Sequence, residues 1–580
     1  MNIIMKSHET DPASPPAAKR KRWRLLLPLS LLATVAGWHV YKPLPAGLDF
    51  AGPFRPARDL RFLRDITTTE ADGSRRFDQQ IFDEVFSMIA EAESLLVIDM
   101  FLFNDFAGKE DRIHRALSRE LTDAIIARRQ ARPELRCWLI TDPLNTWYGG
   151  LSAPHLDRLR AHGVTVVTTR LTALRDTNPA HSVWWRLLLR FWPHRFGPML
   201  PNPVAGGRVP LRSYFDLFNF KANHRKTVIA DRQGVLTALV TSANPHDASS
   251  AHHNVGVVFS GPAVADLLAS EAAVCALSGI PASNSHYGRQ PAKIPAKAGT
   301  TNTFSPDFEA FVVPPSWHVD LFPKTEEKAN LEIRKPRILH IFPVFLRSRL
   351  KKHTLYSNIS TGPSGSAHDE NCWAPAPVDA EPSAPSPLRI RVLTERAVER
   401  AALELLGRAQ AGDTVTLAMF YLSSRPIVRA LKQAHRRGAR VSVLLDPNKD
   451  AFGREKNGIP NRPVAAELTA VGIPVRWVQT HGEQFHTKLL VLESAEGGLS
   501  TILGSSNYTR RNLRNLNLET SVEIRSPRNA AFSASVRDYL AQAWRDEPPA
   551  ISGDYATYAD PSRWRRLIYR LQEATGLSTF

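Results

Sequence analysis

Cysteine is scarce. Three residues in 580, Cys137, Cys275 and Cys372, stand far apart. An odd, scattered set builds neither a disulfide framework nor a metal-ligand cluster, and no cofactor is expected. Acidic residues are also short. Against 74 Lys and Arg there are 56 Asp and Glu, a formal charge of +18. That balance suits an anionic partner, either nucleic acid or an anionic membrane surface, and a plain solvated basic surface also fits it. Long apolar runs come down to "LLLPLSLLATVAGWHVY" at 25–41. Its 17 residues are at the short end for a membrane span, and Pro28 and His39 weaken it. The basic block "KRKRWR" precedes it at 19–24, and no clean A-x-A site follows. The expectation is an uncleaved transmembrane anchor rather than a signal sequence, with residues 1–24 cytoplasmic and the rest of the chain outside.

What the chain has is an internal repeat. "NHRKTVIAD" at 223–231 alternates polar and apolar residues as a half-buried strand does, so His224 and Lys226 share a face. "FHTKLLVLE" at 485–493 does the same with His486 and Lys488. His224 is followed by Asn244 in "TSAN", and His486 by Asn507 in "GSSN". Ten residues beyond each lies another asparagine, Asn254 and Asn517. Upstream, "EAESLLVIDMFLF" (91–103) parallels "AGDTVTLAMFYL" (411–422), and "PELRCWLITDPLN" (133–145) parallels "GARVSVLLDPNK" (438–449). Helical patterns lie between, so the expected class is α/β: two homologous lobes, each a sheet flanked by helices.

The lobes are expected at 50–280 and 387–548. Lobe 1 carries an insert, "HSVWWRLLLRFWPHRF" at 181–196. Residues 281–386 read as a linker, disordered in part, and 549–580 as a basic amphipathic tail with Trp564, Leu567, Ile568 and Leu571 at helical spacing. Basic-aromatic segments of this kind fit a protein lying against anionic lipid.

These residues resemble the phospholipase D superfamily, whose signature H-x-K-x4-D with a downstream G-S-x-N is normally present twice. Copy 1 reads His224, Lys226, Asp231, Ser242, Asn244; copy 2 reads His486, Lys488, Glu493, Ser505, Asn507. The basic segments and the N-terminal run look most similar to bacterial cardiolipin-synthase-like enzymes. The resemblance implies two mixed-sheet lobes related by a pseudo-two-fold axis, a phospholipid substrate, an inner-membrane location, and phosphodiester transfer or hydrolysis without a metal. It also implies that His224 is the nucleophile and His486 the general acid. One imidazole attacks phosphorus and the other protonates the leaving alkoxide. Lys226 and Lys488 stabilise the phosphoryl charge, and Ser242, Asn244, Ser505 and Asn507 add hydrogen bonds to it.

Counting from the asparagines sets Glu519 opposite Gly256. That places a carboxylate beside His486, where it would favour the acid form, with Asp247 available to His224. Asp231 and Glu493 fall on the strand face opposite the histidines and read as structural. Thr241, where the signature has glycine, is expected to narrow the pocket. Phe101, Leu102 and Tyr421 read as core or as an acyl path. The loop 446–462, with Lys449, Arg454, Lys456 and Arg462, is a candidate head-group site. His252 and His253 receive no role. Two other functions compete: a nuclease of the same superfamily, suited by the charge, and an inactive lipid-binding scaffold.

Overall fold

A computed structural model describes residues 17–70, 72–107, 114–202, 207–280, 387–451, 454–545, 550–576 and 578. The expected linker at 281–386 and residues 1–16 of the basic N-terminus lie outside them. Cys137 and Cys275 are buried and, among the described residues, form no disulfide.

Two mixed sheets dominate. The first runs, edge to edge, Arg75–Gln79, Arg58–Thr69, Asn254–Ser260, Val235–Thr241, Lys226–Arg232, Ala92–Met100, Arg136–Thr141 and Thr165–Thr168. The second repeats that order from its second strand: Arg55–Pro56, Arg389–Thr394, Thr520–Ser526, Leu499–Gly504, Lys488–Glu493, Thr414–Met419, Arg440–Leu445, Val475–Val478 and Ser552–Asp554. In each sheet the last three strands of the repeat are parallel and the others antiparallel. The strands Lys226–Arg232 and Lys488–Glu493 are buried on both faces, because helices cover one side and the opposite sheet the other. That explains the near-continuous apolar runs "TVIA" and "LLVL", where alternation alone would have left one face polar.

One core is shared by both sheets. It joins Phe62, Ile229 and Val257 of lobe 1 to Leu489, Val522 and Phe532 of lobe 2. The last helix of each lobe enters it and reaches the other lobe: Ala263–Leu277 touches the strand Arg389–Thr394, and Ala531–Trp544 touches Arg58–Thr69. Lobe 1 even lends the strand Arg55–Pro56 to the edge of the lobe 2 sheet.

Arg225 fixes the two lobes at the place that matters. It is fully buried, and its guanidinium meets Glu395 of lobe 2 at 2.8 Å and Glu271 at 3.4 Å, with Ser270 Oγ accepting at 2.9 Å. Glu395, at a positive φ of 47°, accepts in turn from the backbone N–H of Glu519 at 3.2 Å and of Asp49 at 2.8 Å.

The structure does not support the N-terminal run as a membrane anchor. The run belongs to a helix, Ala17–Tyr41, whose first turns carry the KRKRWR block and whose interior holds Pro28. Among the described residues no helix is long and apolar enough to cross a membrane. The far end of the helix is instead seated on lobe 1. His39 O accepts from Asp176 N at 2.9 Å, and Lys42 Nζ donates to Thr172 O at 3.2 Å. The single anchor, and the outer-face placement drawn from it, are therefore withdrawn.

Replacing Arg225 by Met strands two buried carboxylates, so stability falls by about 3–5 kcal/mol. Denaturation midpoints check this. Because Arg225 and Glu395 touch, the pair Arg225→Met with Glu395→Gln costs less than the two single changes added together.

Candidate active site

Both histidines sit at the carboxyl ends of the parallel strands, where neighbouring antiparallel strands begin. Met100 pairs with Lys226, and Met419 with Lys488. Each histidine lies two residues before its strand, held from both sides. From its own lobe comes the "DP" turn. Asp142 accepts from Asn223 N at 2.7 Å, and Asp446 from Phe485 N at 2.8 Å. Burial pushes these carboxyls up, to about 7 and about 6. From the other lobe comes backbone. Asn223 bridges Leu518 and Phe485 bridges His253, with His224 N donating to Leu518 O at 2.9 Å and His253 N to Gln484 O at 3.0 Å. The pseudo-two-fold relation passes through these crossings.

The crossings decide which group serves which imidazole. His224 Nδ1 meets Glu519 of lobe 2 at 3.0 Å, and His486 Nδ1 meets Asn254 of lobe 1 at 3.2 Å. Glu519 therefore does not stand beside His486, as counting predicted. Because Leu518 and His253 occupy matching bridge positions, Glu519 matches Asn254 rather than Gly256. The loop from Asn507 to Glu519 is two residues longer than that from Asn244 to Asn254, and the asparagine count slipped by that amount. Asp247 does not serve His224; it accepts from Ser118 N at 2.8 Å at the start of the helix Leu117–Ala131.

The serines also differ from expectation. Ser242 Oγ donates to Asn254 Oδ1 at 3.0 Å, and Ser505 Oγ to Glu519. Both are fully buried and brace the groups that hold the histidines. Asn512 Nδ2 donates to the second oxygen of Glu519. Asn244 and Asn507, in contrast, line the cavity.

That cavity, of about 540 Å³, has both His224 and His486 in its wall. Burial, opposed by Glu519, lowers His224 to about 4; Lys226 and Lys488 add to the depression. His486 is held well below 6.5 by burial first, then by Lys488, His252, Lys226 and His224. Each lysine is anchored by donating to the carbonyl of its own histidine at 2.7 Å, and each lies 5.0 Å over an aromatic ring, Lys226 on Phe101 and Lys488 on Phe420. Burial drops Lys226 to about 7, and burial together with Lys226 holds Lys488 well below the ordinary lysine range. The site concentrates neutral imidazoles and two desolvated amines on one spot, an arrangement that an anion would stabilise.

The remaining predicted residues sort by position. Asp231 accepts from the backbone of Glu93, Ser94 and Leu95, and Glu493 pairs with Arg537 at 2.8 Å; neither lines the cavity. Thr241 does not narrow it. Its hydroxyl donates to Val255 O at 2.9 Å, and its cross-strand partner is Gly256, whereas in lobe 2 Gly504 faces Ser521. The small residue has changed sides of the same pair. At Gly504, φ is +153° and an added Cβ would come within 2.5 Å of Ser521 Cα. Phe101, Leu102, Tyr421 and Lys456 line the cavity, while Lys449 and Arg462 lie by Tyr558. The side chain of Arg454 is outside the described residues. Sequence reading missed Asn254 as a histidine partner, His252, whose ring lies 6.1 Å from that of His486, and Arg511. Pairing across lobes rather than along them would have singled out Asn254.

Residues 403–544 match the family model described as Cardiolipin synthase, PLD-like domain, so the second lobe carries a phospholipase D-like domain. No curated protein matches the chain significantly. Among solved structures, the chain is similar to phosphatidylserine synthase of Haemophilus influenzae Rd KW20, at 11% identity over 91% of this chain and 96% of that one, TM-score 0.47. It is similar also to Nuc of Salmonella typhimurium, a phospholipase D family member, at 18% identity over 29% of this chain and 98% of that one, TM-score 0.23. A third is the polyphosphate kinase of Porphyromonas gingivalis, at 12% identity over 90% of this chain and 53% of that one, TM-score 0.37.

A carboxylate favours the imidazolium beside it, so removing its charge lowers the imidazole pKa. In Glu519→Gln, histidine-selective NMR titration should show His224 moving below its value of about 4. A shift confined to His486 would contradict the cross-lobe assignment.

Proposed function

We propose that this protein is a phospholipase D-type enzyme that transfers or hydrolyses the phosphodiester of a phospholipid through a phosphohistidine on His224. The observation that carries the reading is the unequal support of two imidazoles on one cavity. With its Nδ1–H held by Glu519, neutral His224 exposes the Nε2 lone pair for attack, and the carboxylate stabilises the positive charge that develops on the ring. His486, on the amide oxygen of Asn254, has no such carboxylate.

In the first step Nε2 of His224 bonds to phosphorus, the phosphorus–alkoxide bond breaks, and His486 gives its proton to the departing oxygen. In the second, an alcohol or water oxygen attacks phosphorus, His486 takes that proton, and the phosphorus–nitrogen bond breaks. The anionic phosphodiester draws the proton onto His486 by offsetting the two ammonium charges that otherwise depress it. Asn244 and Asn507 supply hydrogen bonds to the non-bridging oxygens, and Lys226 and Lys488 supply field.

Lipid is favoured over nucleic acid by the apolar surroundings of the mouth. Leu144, Leu217, Phe218 and Phe220 line the cavity. Phe218 is also 43% exposed, and the neighbouring insert shows Trp184, Leu188 and Phe191 to solvent, with Arg190 stacked on Phe191 at 4.9 Å. The N-terminal helix, which packs on the insert helix Pro179–Leu187, exposes Leu27 and Trp38. An apolar surface edged by arginine suits the interface of an anionic bilayer. The last helix, Arg563–Thr575, buries Tyr569 and exposes Trp564, Leu567 and Leu571, which adds a second such patch.

Phosphatidyl-p-nitrophenol tests the roles, because its leaving group needs no proton. His486→Asn should release a burst of p-nitrophenolate and hold label on His224, whereas His224→Asn should give neither. Label on His486 would reverse the roles. With phosphatidylglycerol, a phosphatidyl-transfer product or phosphatidate is expected; DNA nicking without lipid turnover would replace this reading with the nuclease.

A further inference from the structure

Two arginines whose side chains are drawn into the interior are matched by carboxylates. Arg225 has Glu395 and Glu271, and Arg186 has Asp176 at 2.7 Å. Arg511 is different. Its Nε and Nη2 are buried and find no hydrogen-bond partner, and among the described residues no carboxylate forms an ion pair with it. It lines the catalytic cavity with Tyr148 and Tyr421, its guanidinium 5.1 Å over the ring of Phe220. Phe220 belongs to lobe 1, four residues before His224, so this lobe 2 side chain reaches across the mouth of the site.

Nε–H and Nη2–H form one edge of the guanidinium, a two-pronged donor that matches two oxygens of a single phosphate. Burying such an edge unpaired is costly, and a bound oxyanion removes the cost. Burial lowers Arg511 to about 10, which leaves it charged at neutral pH. The reacting phosphodiester is already provided for by the two histidines, the two lysines and the cavity asparagines. A further cationic fork on the same wall is therefore surplus to one phosphate.

We infer that Arg511 forms a second anion site in the catalytic cavity, which takes a second phosphate group while the first lies between His224 and His486. This rests on the phosphodiester reading above. The second phosphate has two possible sources of the same chemistry: the phosphodiester of an acceptor lipid, or the non-reacting phosphate of a diphosphate donor. Arg511 is a positioning residue here, not a participant in bond making.

The test compares Arg511→Gln and Arg511→Lys with the unaltered protein. The first arm is binding: inorganic pyrophosphate and inorganic phosphate are titrated while the thermal midpoint is followed. Pyrophosphate should stabilise the unaltered protein at concentrations roughly 10- to 100-fold lower than it does Arg511→Gln, with Arg511→Lys between them. The second arm is turnover. With phosphatidylcholine as donor and glycerol as acceptor, Arg511→Gln gives the baseline loss for a reaction that involves one phosphate. With phosphatidylglycerol as acceptor its acceptor KM should rise roughly 10- to 100-fold, or, if the source is the donor, the KM for CDP-diacylglycerol should rise instead. Unchanged pyrophosphate binding overturns the inference. So does an equal fall in all three reactions, which would mark a structural role. If no lipid is turned over yet Arg511→Gln weakens pyrophosphate binding, the anion site stands and the lipid reading falls.

Discussion

Arg225 occupies the position between His224 and Lys226 and points the other way, into the seam between the lobes. Its ion pair with Glu395 is sealed from water, and Glu395 in turn receives the backbone N–H of Glu519. Glu519 then holds His224. Three contacts therefore connect the rigid interior of the molecule to the orientation of one imidazole. A buried pair of this kind adds little net stability over a well-packed apolar one, but breaking it on one side is expensive. Its value here is geometric, since it leaves the segment carrying Glu519 a single place to stand.

Much of this was legible in the sequence. The matching strand segments of the two lobes, their "DP" turns and the two His-Lys positions follow from hydrophobic pattern and repetition alone, whereas the order of strands in the sheets does not. What was not legible was the exchange of partners. Strand periodicity says which residues share a face, and it is silent about which loop crosses to the other lobe. Glu519 and Asn254 were set out of register because two extra residues lie in a loop, where counting has no physical anchor. The resemblance implies Ser242 and Ser505 as phosphate donors beside Asn244 and Asn507, and only the asparagines line the cavity. The strands end at Thr241 and Gly504, before either serine, so strand alternation does not set the serines on the face of those asparagines. The N-terminal run misled for another reason: its composition fits a short span, yet its end is tied by hydrogen bonds to lobe 1.

The two halves share a backbone and differ in charge. Each imidazole has an ammonium behind it, an aromatic ring beside it and a polar partner from the opposite lobe. Only one of the partners is a carboxylate. Thr241 with Gly256, and Gly504 with Ser521, show the same freedom in packing, since the pair is retained while its members are exchanged. Symmetry of fold thus coexists with unequal support of the two histidines.

The reciprocal lending of Glu519 and Asn254 has an evolutionary consequence. A self-paired ancestor of either half would carry two identical partners, both acids or both amides. An ancestor of that kind would give both imidazoles the same neighbour; in this chain each half instead supplies the neighbour of the histidine carried by the other.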